Sequence, residues 1–330
     1  MHAESSVTSQ PHKVTLSPGK RLCLLGLVAL ALMAIFMLIN LQGNVAYILK
    51  HRGQILATMV LVAFSSGIST LLFQTITQNR ILTPSVMGLE SLFVLLQTVL
   101  VFFLNIAGLS MFGTIGQFVG ETALLVLFAT LLYRWLLSGT GLDLHRVLLI
   151  GLVFGTLFRS SAGLMQRLLS PGEFAVLQSR IFATFTRADS NVLLISGLVI
   201  AIVTLVVWRM RHRLDVIALG SNTATALGIP YKRYVTALLL LISVLVAIST
   251  ALVGPMMFLG LLIVNLAYPL MGSWRHAYLL PGCVLVGLIA LIGGQLILER
   301  VFDMTGTLSV VIEFIGGGLF IYLLLKKVAK

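Results

Sequence analysis

Four ionisable side chains lie within or beside long apolar segments: Glu90, Glu121, Arg159 and Glu313. Because an unpaired charge is costly inside a membrane, each is a candidate for a proton relay or a substrate contact. The glutamates fall within a few residues of predicted helix ends, where headgroups or water can reach them, whereas Arg159 is deeper. An interfacial position or an internal Arg–Glu pair is therefore the favoured interpretation.

Motifs for nucleotide or metal chemistry are absent from the sequence. The nucleotide-binding loop G-x-x-x-x-G-K-[ST] is missing, because the pair Gly19-Lys20 is followed by Arg21. The six histidines lie in tails and helix-end loops without ligand spacing, and both cysteines lie inside apolar segments. We expect no ATPase, metal site or cofactor in this chain, and no catalytic cluster of a membrane-embedded enzyme.

The elements that position these residues are membrane helices. The chain is 58% hydrophobic and 10% charged, with a mean hydropathy of +1.07, whereas soluble domains have about 25% charged residues. Such a composition suits a polytopic all-α membrane protein whose outer surface meets lipid. The net charge of +12 does not indicate nucleic acid, because Lys and Arg lie almost entirely between the apolar runs.

Apolar length predicts about ten transmembrane helices, since a span needs about 20 residues. Nine segments meet this need: 22–39, 55–76, 86–107, 114–134, 147–166, 191–208, 234–253, 277–298 and 308–325. The tenth, 256–269, is shorter and follows the sharp turn at Gly254-Pro255. It is counted as a span, although it could be a short buried helix or a re-entrant segment.

Charge placement sets the orientation. Residues 1–20 form a cytoplasmic tail and residues 21–330 a single transmembrane domain with a cytoplasmic C-terminus. In this arrangement 15 of the 22 Lys and Arg lie inside and 7 lie outside or within a helix, as the positive-inside rule requires. The 168–190 loop runs against the rule and is long enough to hold a short interfacial helix.

The loop at about 209–233 carries five Lys or Arg and is too apolar for a solvated loop. Its sequence predicts a short helix, a glycine turn and a second short helix before Pro230. Gly220, Ala224 and Gly228, spaced four apart, leave one face flat enough for another protein to dock. An ordinary amphipathic interfacial helix is the alternative.

This loop resembles the cytoplasmic coupling region of FecCD-type permeases, the membrane subunits of bacterial iron-siderophore and vitamin B12 ABC importers. Gly220, Ala224, Leu227 and Gly228 match the family pattern A-L-G-x-x-x-A-x-x-L-G. The resemblance implies that this element docks into an ATPase subunit and transmits its closure. Ser221 stands where the family often has an acidic residue.

Three further stretches resemble family motifs in the same order. They are Gly67, Gln74, Asn79, Pro84 and Gly88; the run from Gly254 to Leu261; and Ile315-Gly316-Gly317 with Phe320. The chain departs from the family in having Val264-Asn265 for Pro-His and Gly318 for the closing Pro. Residues 264–267 with 293–295 resemble a branch associated with iron-catecholate siderophores.

The resemblance implies a type II ABC importer permease in the bacterial inner membrane. Its expected partners are two ATPase subunits that use ATP and Mg, a related or identical second permease, and a periplasmic binding protein that delivers an iron-siderophore. A proton-coupled secondary transporter that uses one of the glutamates is the alternative function.

The resemblance also suggests site residues. Lys50, Arg52 and Arg300 are candidates for docking the binding protein, with interfacial anchoring as the alternative. Candidates for the translocation pathway, or equally for helix packing, are Gln74, Asn79, Gly254, Pro255 and Asn265.

Overall fold

The computed structural model describes residues 16–39, 44–110, 113–137, 144–182, 184–185, 189–301 and 307–328, and these form helices without a strand. A 3-10 helix, Pro84–Met87, precedes α3. The α-helices are α1 Pro18–Leu38, α2 Val45–Thr77, α3 Leu89–Ser110, α4 Gly113–Leu137, α5 Leu144–Gln166, α6 Pro171–Ile181, α7 Ser190–Arg209, α8 Arg211–Ile217, α9 Ser221–Ala226, α10 Tyr231–Val253, α11 Leu259–Met271, α12 His276–Arg300 and α13 Leu308–Val328.

Seven of the described helices are long and apolar enough to cross a membrane: α1, α2, α4, α5, α7, α10 and α12. Three shorter apolar helices lie within α3, α11 and α13. The all-α membrane architecture is confirmed, whereas the count of ten spans stays a prediction. α11 has 13 residues and is about 20 Å long, which is short of a hydrocarbon core about 30 Å thick.

The core of the bundle lies around α2, which packs against α10, α11 and α12. Small residues let α2 and α12 approach closely, because Gly67 lies against Cys283 and Gly287 against Ala63. These two contacts fix an antiparallel register. By contrast, α1, α5 and α7 expose leucines along much of their length, as expected of helices that face lipid or another subunit.

Glycines also set the crossing of α5 with the start of α3. Gly88 has a φ of +80°, and a side chain there would meet the backbone of Gly151 and Gly155. The chain therefore enters α3 in direct backbone contact with α5.

A short helix in the 168–190 loop and a sharp turn at Gly254 are confirmed, whereas the interfacial position of that helix stays a prediction. The 168–190 loop holds α6, whose N-terminus is closed by a capping box between Ser170 and Glu173. The sharp turn lies at Gly254, which ends α10 with a φ of +105°, a conformation that favours glycine.

Candidate functional site

Residues 209–233 fold as the sequence predicts, into α8, a turn at Gly220 and α9. Gly220 has a φ of +99° and Gly228 a φ of +83°, so both occupy backbone conformations that disfavour other residues. At the end of α9 the Ile229 N–H donates to the Ala224 carbonyl over 3.0 Å, and the Gly228 N–H donates to the Thr225 carbonyl. These bonds close the helix before α10 begins.

The small residues of this element do not share one exposed face, since Gly228 is exposed with open space around it whereas Ala224 and Gly220 lie against the protein, and docking of the element on an ATPase stays a prediction. Ala224 is fully buried, and a side chain at Gly220 would meet the Gln78 amide at the end of α2. The exposed apolar side chains are instead Leu219 and Leu227, exposed by 59% and 61%. Sequence reasoning named Leu227 but missed Leu219.

A chain of polar contacts ties α8 to two long helices. Asp215 of α8 accepts the backbone N–H of His276 over 2.8 Å and lies 2.7 Å from His276 Nδ1. On the other side of the ring, Nε2 lies 2.8 Å from Thr75 Oγ1 at the end of α2. His276 is 2% exposed. No sequence pattern predicts this contact, because the three residues are distant in the chain.

Three pathway candidates lie together at the turn after α2. The Gln74 side-chain amide donates to the Arg80 carbonyl over 2.7 Å, and Asn265 donates to the same carbonyl over 3.3 Å. Asn79 accepts the Ile81 N–H. The Arg80 guanidinium lies 4.3 Å from the Tyr268 ring centroid and 4.0 Å from that of Trp274, within cation–π range. Contacts of this kind indicate that these residues pack α2 against α11.

The other two pathway candidates lie at the bend between α10 and α11. Gly254 lines a cavity of about 510 Å³ with Gln97, Glu121 and Arg180. It also borders a cavity of about 30 Å³. Pro255 follows it directly and is partly exposed.

The predicted docking residues lie at the end of the bundle opposite Thr75 and His276. Continuing the α2–α12 register by 13 residues from the contact of Ala63 with Gly287 brings Arg300 level with Lys50. Lys50 and Arg300 are exposed, whereas Arg52 is partly buried. Arg52 Nη1 donates to the carbonyls of Phe36 and Ile39 over 3.0 and 2.5 Å, so this arginine caps the C-terminus of α1.

An interfacial position or an internal Arg–Glu pair was expected for the intramembrane charges, and among the described residues Arg159 forms no salt bridge with Glu90, Glu121 or Glu313. Glu90 is buried and accepts the Ser85 hydroxyl over 2.6 Å, although its position near a helix end suggested access to headgroups. Arg159 and Glu313 are exposed on α5 and α13. Glu121 is buried beside the 510 Å³ cavity, where Arg180 donates to Gln117 over 3.2 Å.

Two of the sequence motifs pack against each other. A side chain at Gly316 would lie 2.8 Å from Phe258 Cβ, and the rings of Phe258 and Phe320 are 6.3 Å apart. The motif that starts at Gly254 therefore supports the motif that closes the chain.

The chain is similar to known proteins over most of its length. The model of the FecCD transport family matches residues 22–326. The chain is 42% identical to the petrobactin import system permease protein YclO of Bacillus subtilis, over 93% of this chain and 97% of the relative. It is 36% identical to the petrobactin import system permease protein FatC of Bacillus anthracis, over 85% and 79% of the two chains.

A solved structure of an ABC transporter assigned to the metal-chelate type, in an inward-facing conformation, has the same fold. It aligns with a TM-score of 0.78 at 23% identity, over 94% of this chain and all of the other. A type II permease fold is therefore confirmed. Permeases of this kind work with a separate ATPase subunit and are not enzymes. The chain belongs to the FecCD transport family and is a membrane permease subunit of an ABC importer.

Proposed function

We propose that this permease imports an iron-siderophore complex of the catecholate-containing class across the bacterial inner membrane. The observation that carries the proposal is the 42% identity to a petrobactin permease over nearly the full length of both chains. A second relative named for petrobactin import supports the same substrate. In our proposal a related or identical second permease, two ATPase subunits and an external binding protein complete the importer.

Uptake of radioactive iron tests this substrate. The chain is expressed with its partner subunits in a bacterium without siderophore permeases, and ferric petrobactin, a ferric hydroxamate and radiolabelled vitamin B12 are supplied separately. We expect uptake of the petrobactin complex, and none when the ATPase carries a substitution that blocks hydrolysis. Preference for the hydroxamate or for vitamin B12 would contradict the substrate. Uptake that depends on a proton gradient and not on the ATPase would favour a secondary transporter.

The 209–233 element is the surface that we assign to the ATPase. It exposes the apolar side chains of Leu219 and Leu227, and the same element exposes the cations Arg209 and Arg213. An excess of cations is expected on the cytoplasmic side. We therefore place both termini and this element in the cytoplasm, where ATP is available.

The opposite end of the bundle is the surface that we assign to the binding protein. Lys50 and Arg300 are exposed and level with each other, so they suit acidic groups on an incoming protein. Arg52 serves mainly as the cap of α1, because its guanidinium is directed at backbone carbonyls. We propose Gly254 and Pro255 as pathway residues and assign Gln74, Asn79 and Asn265 to packing.

Charge reversal tests the outer surface. We expect Lys50→Glu and Arg300→Glu each to slow association of the binding protein, more strongly at low salt than at high salt. Lys20→Glu makes the same charge change at the other end of the bundle, where Lys20 is exposed at the start of α1, and is the matched control. Equal association rates for all three variants would contradict the assignment.

A further inference from the structure

The contact between Asp215, His276 and Thr75 joins three elements that have different roles in the proposed importer. Asp215 lies in the element assigned to the ATPase, His276 begins α12, and Thr75 lies in the last turn of α2. The side chains of Leu214 and Ile217 are fully buried, so the Asp215 contact is part of a packed junction. We call these three residues the clasp.

Hydrogen-bond chemistry fixes how the clasp is joined. A carboxylate only accepts, so the 2.7 Å contact requires a proton on His276 Nδ1. In the neutral ring, Nε2 is then an acceptor. The Thr75 hydroxyl has one proton and lies 2.8 Å from both Nε2 and the Leu71 carbonyl, so it donates to Nε2 when its proton is turned from Leu71 toward the ring. The ring thus has one proton directed at α8 and one lone pair directed at α2. Each bond restrains the ring from a different side.

Asp215 also caps α12. The N-cap residue of this helix, Arg275, makes no side-chain cap, and the first helical N–H, that of His276, donates to Asp215 instead. A carboxylate at a helix N-terminus is favoured by the helix dipole as well. If α8 moves, the group that closes α12 moves with it.

The two helices held by the clasp continue to the other end of the bundle. α2 and α12 pack closely at Gly67 and Gly287, and their far ends carry Lys50 and Arg300. Displacement of α8 would therefore reach the surface that we assign to the binding protein through a helix pair that is already tightly joined.

We propose that the Asp215–His276–Thr75 clasp transmits movement of the 209–233 element to α2 and α12, and thereby couples ATP hydrolysis to import. The inference rests on the proposed function, because it assumes that an ATPase docks on this element. The clasp residues are positioning residues, since none of them needs to touch substrate.

Asp215→Ala removes the acceptor for both His276 bonds, whereas Asp215→Asn keeps an oxygen in place. In proteoliposomes that contain the complete importer, we expect Asp215→Ala to lower iron-siderophore import per ATP hydrolysed by about tenfold, a factor equivalent to about 1.4 kcal/mol. Binding-protein-stimulated hydrolysis should continue. Asp215→Asn should restore most of the coupling, and Thr75→Val should give an intermediate loss.

Glu173→Ala is the matched control, because the Glu173 carboxylate accepts the Ser170 backbone N–H in the capping box of α6. It removes a capping carboxylate away from the clasp and should leave the ratio of import to hydrolysis unchanged. A parallel fall of import and hydrolysis in Asp215→Ala, or no recovery in Asp215→Asn, would overturn the inference.

A measurement without substrate separates this inference from the substrate assignment. Spin labels at positions 300 and 191, in a chain lacking Cys23, report the distance between the far ends of α12 and α7 as nucleotide is added. We expect a nucleotide-dependent change in the parent chain and none with Asp215→Ala. If the parent complex imports no iron-siderophore but keeps this change, the substrate is wrong and the clasp stands. If the change persists in Asp215→Ala, the clasp is wrong.

Discussion

Truncation of Leu227 tests whether the 209–233 element is an ATPase-binding surface. Complete burial of a leucine side chain contributes about 1.5–3 kcal/mol. Leu227 is 61% exposed in the free chain, so the burial still available on docking amounts to about 1–2 kcal/mol. Leu227→Ala should therefore raise the Kd for the ATPase by roughly 5- to 30-fold. Leu219, exposed by 59%, should behave in the same way.

The assay is binding of the purified ATPase to the permease in nanodiscs, followed by interferometry. Leu198→Ala is the matched control, because it makes the same chemical change on the transmembrane helix α7, where Leu198 is 66% exposed. We expect its Kd to equal that of the parent chain, and all variants to keep the same Tm. Equal Kd values for Leu227→Ala and Leu198→Ala would refute the docking assignment.

Three other predictions concern packing, charge and pH. Gly260→Ala places a methyl group into the Thr70 hydroxyl and should lower stability in detergent by about 1–3 kcal/mol, with partial recovery in the double variant with Thr70→Ala; an unchanged Tm would contradict this packing. Glu90→Gln keeps an acceptor for Ser85 and should leave import within about threefold; loss of import would instead point to a proton carried by this residue. Hydrogen bonds from Ser170 lower the pKa of Glu173, so this carboxylate stabilises α6 at neutral pH and stops doing so as the pH falls through that lowered pKa. Hydrogen exchange of the α6 amides, corrected for intrinsic rates, should accelerate in acid, and Ser170→Ala should remove this acceleration. An acceleration that persists in Ser170→Ala would exclude the capping box as its cause.

Local features of the fold were predictable because they depend on residues that are close in sequence. The turn at Gly254, the short helix after residue 168 and the two helices around Gly220 all follow from glycine, proline and apolar spacing. The membrane class follows from composition. The membership of the family follows from four motifs in the right order.

Features that depend on three-dimensional contacts were not predictable. His276 looked like an ordinary loop histidine, because nothing in its neighbourhood indicates Asp215 or Thr75. Ala224 fits a small-residue face, but only the packed structure shows that its side chain is turned toward the protein. Arg52 fits a docking motif, although its guanidinium lies on the carbonyls of α1.

The length of α2 has a geometric consequence for an importer of this kind. Its 33 residues make a rod about 50 Å long, longer than the hydrocarbon core of a bilayer. A tilt of about 5° around one end of such a rod displaces the other end by roughly 4 Å. A small rotation at the ATPase side would thus become a displacement of atomic size on the outer side without any change in the internal structure of the helix.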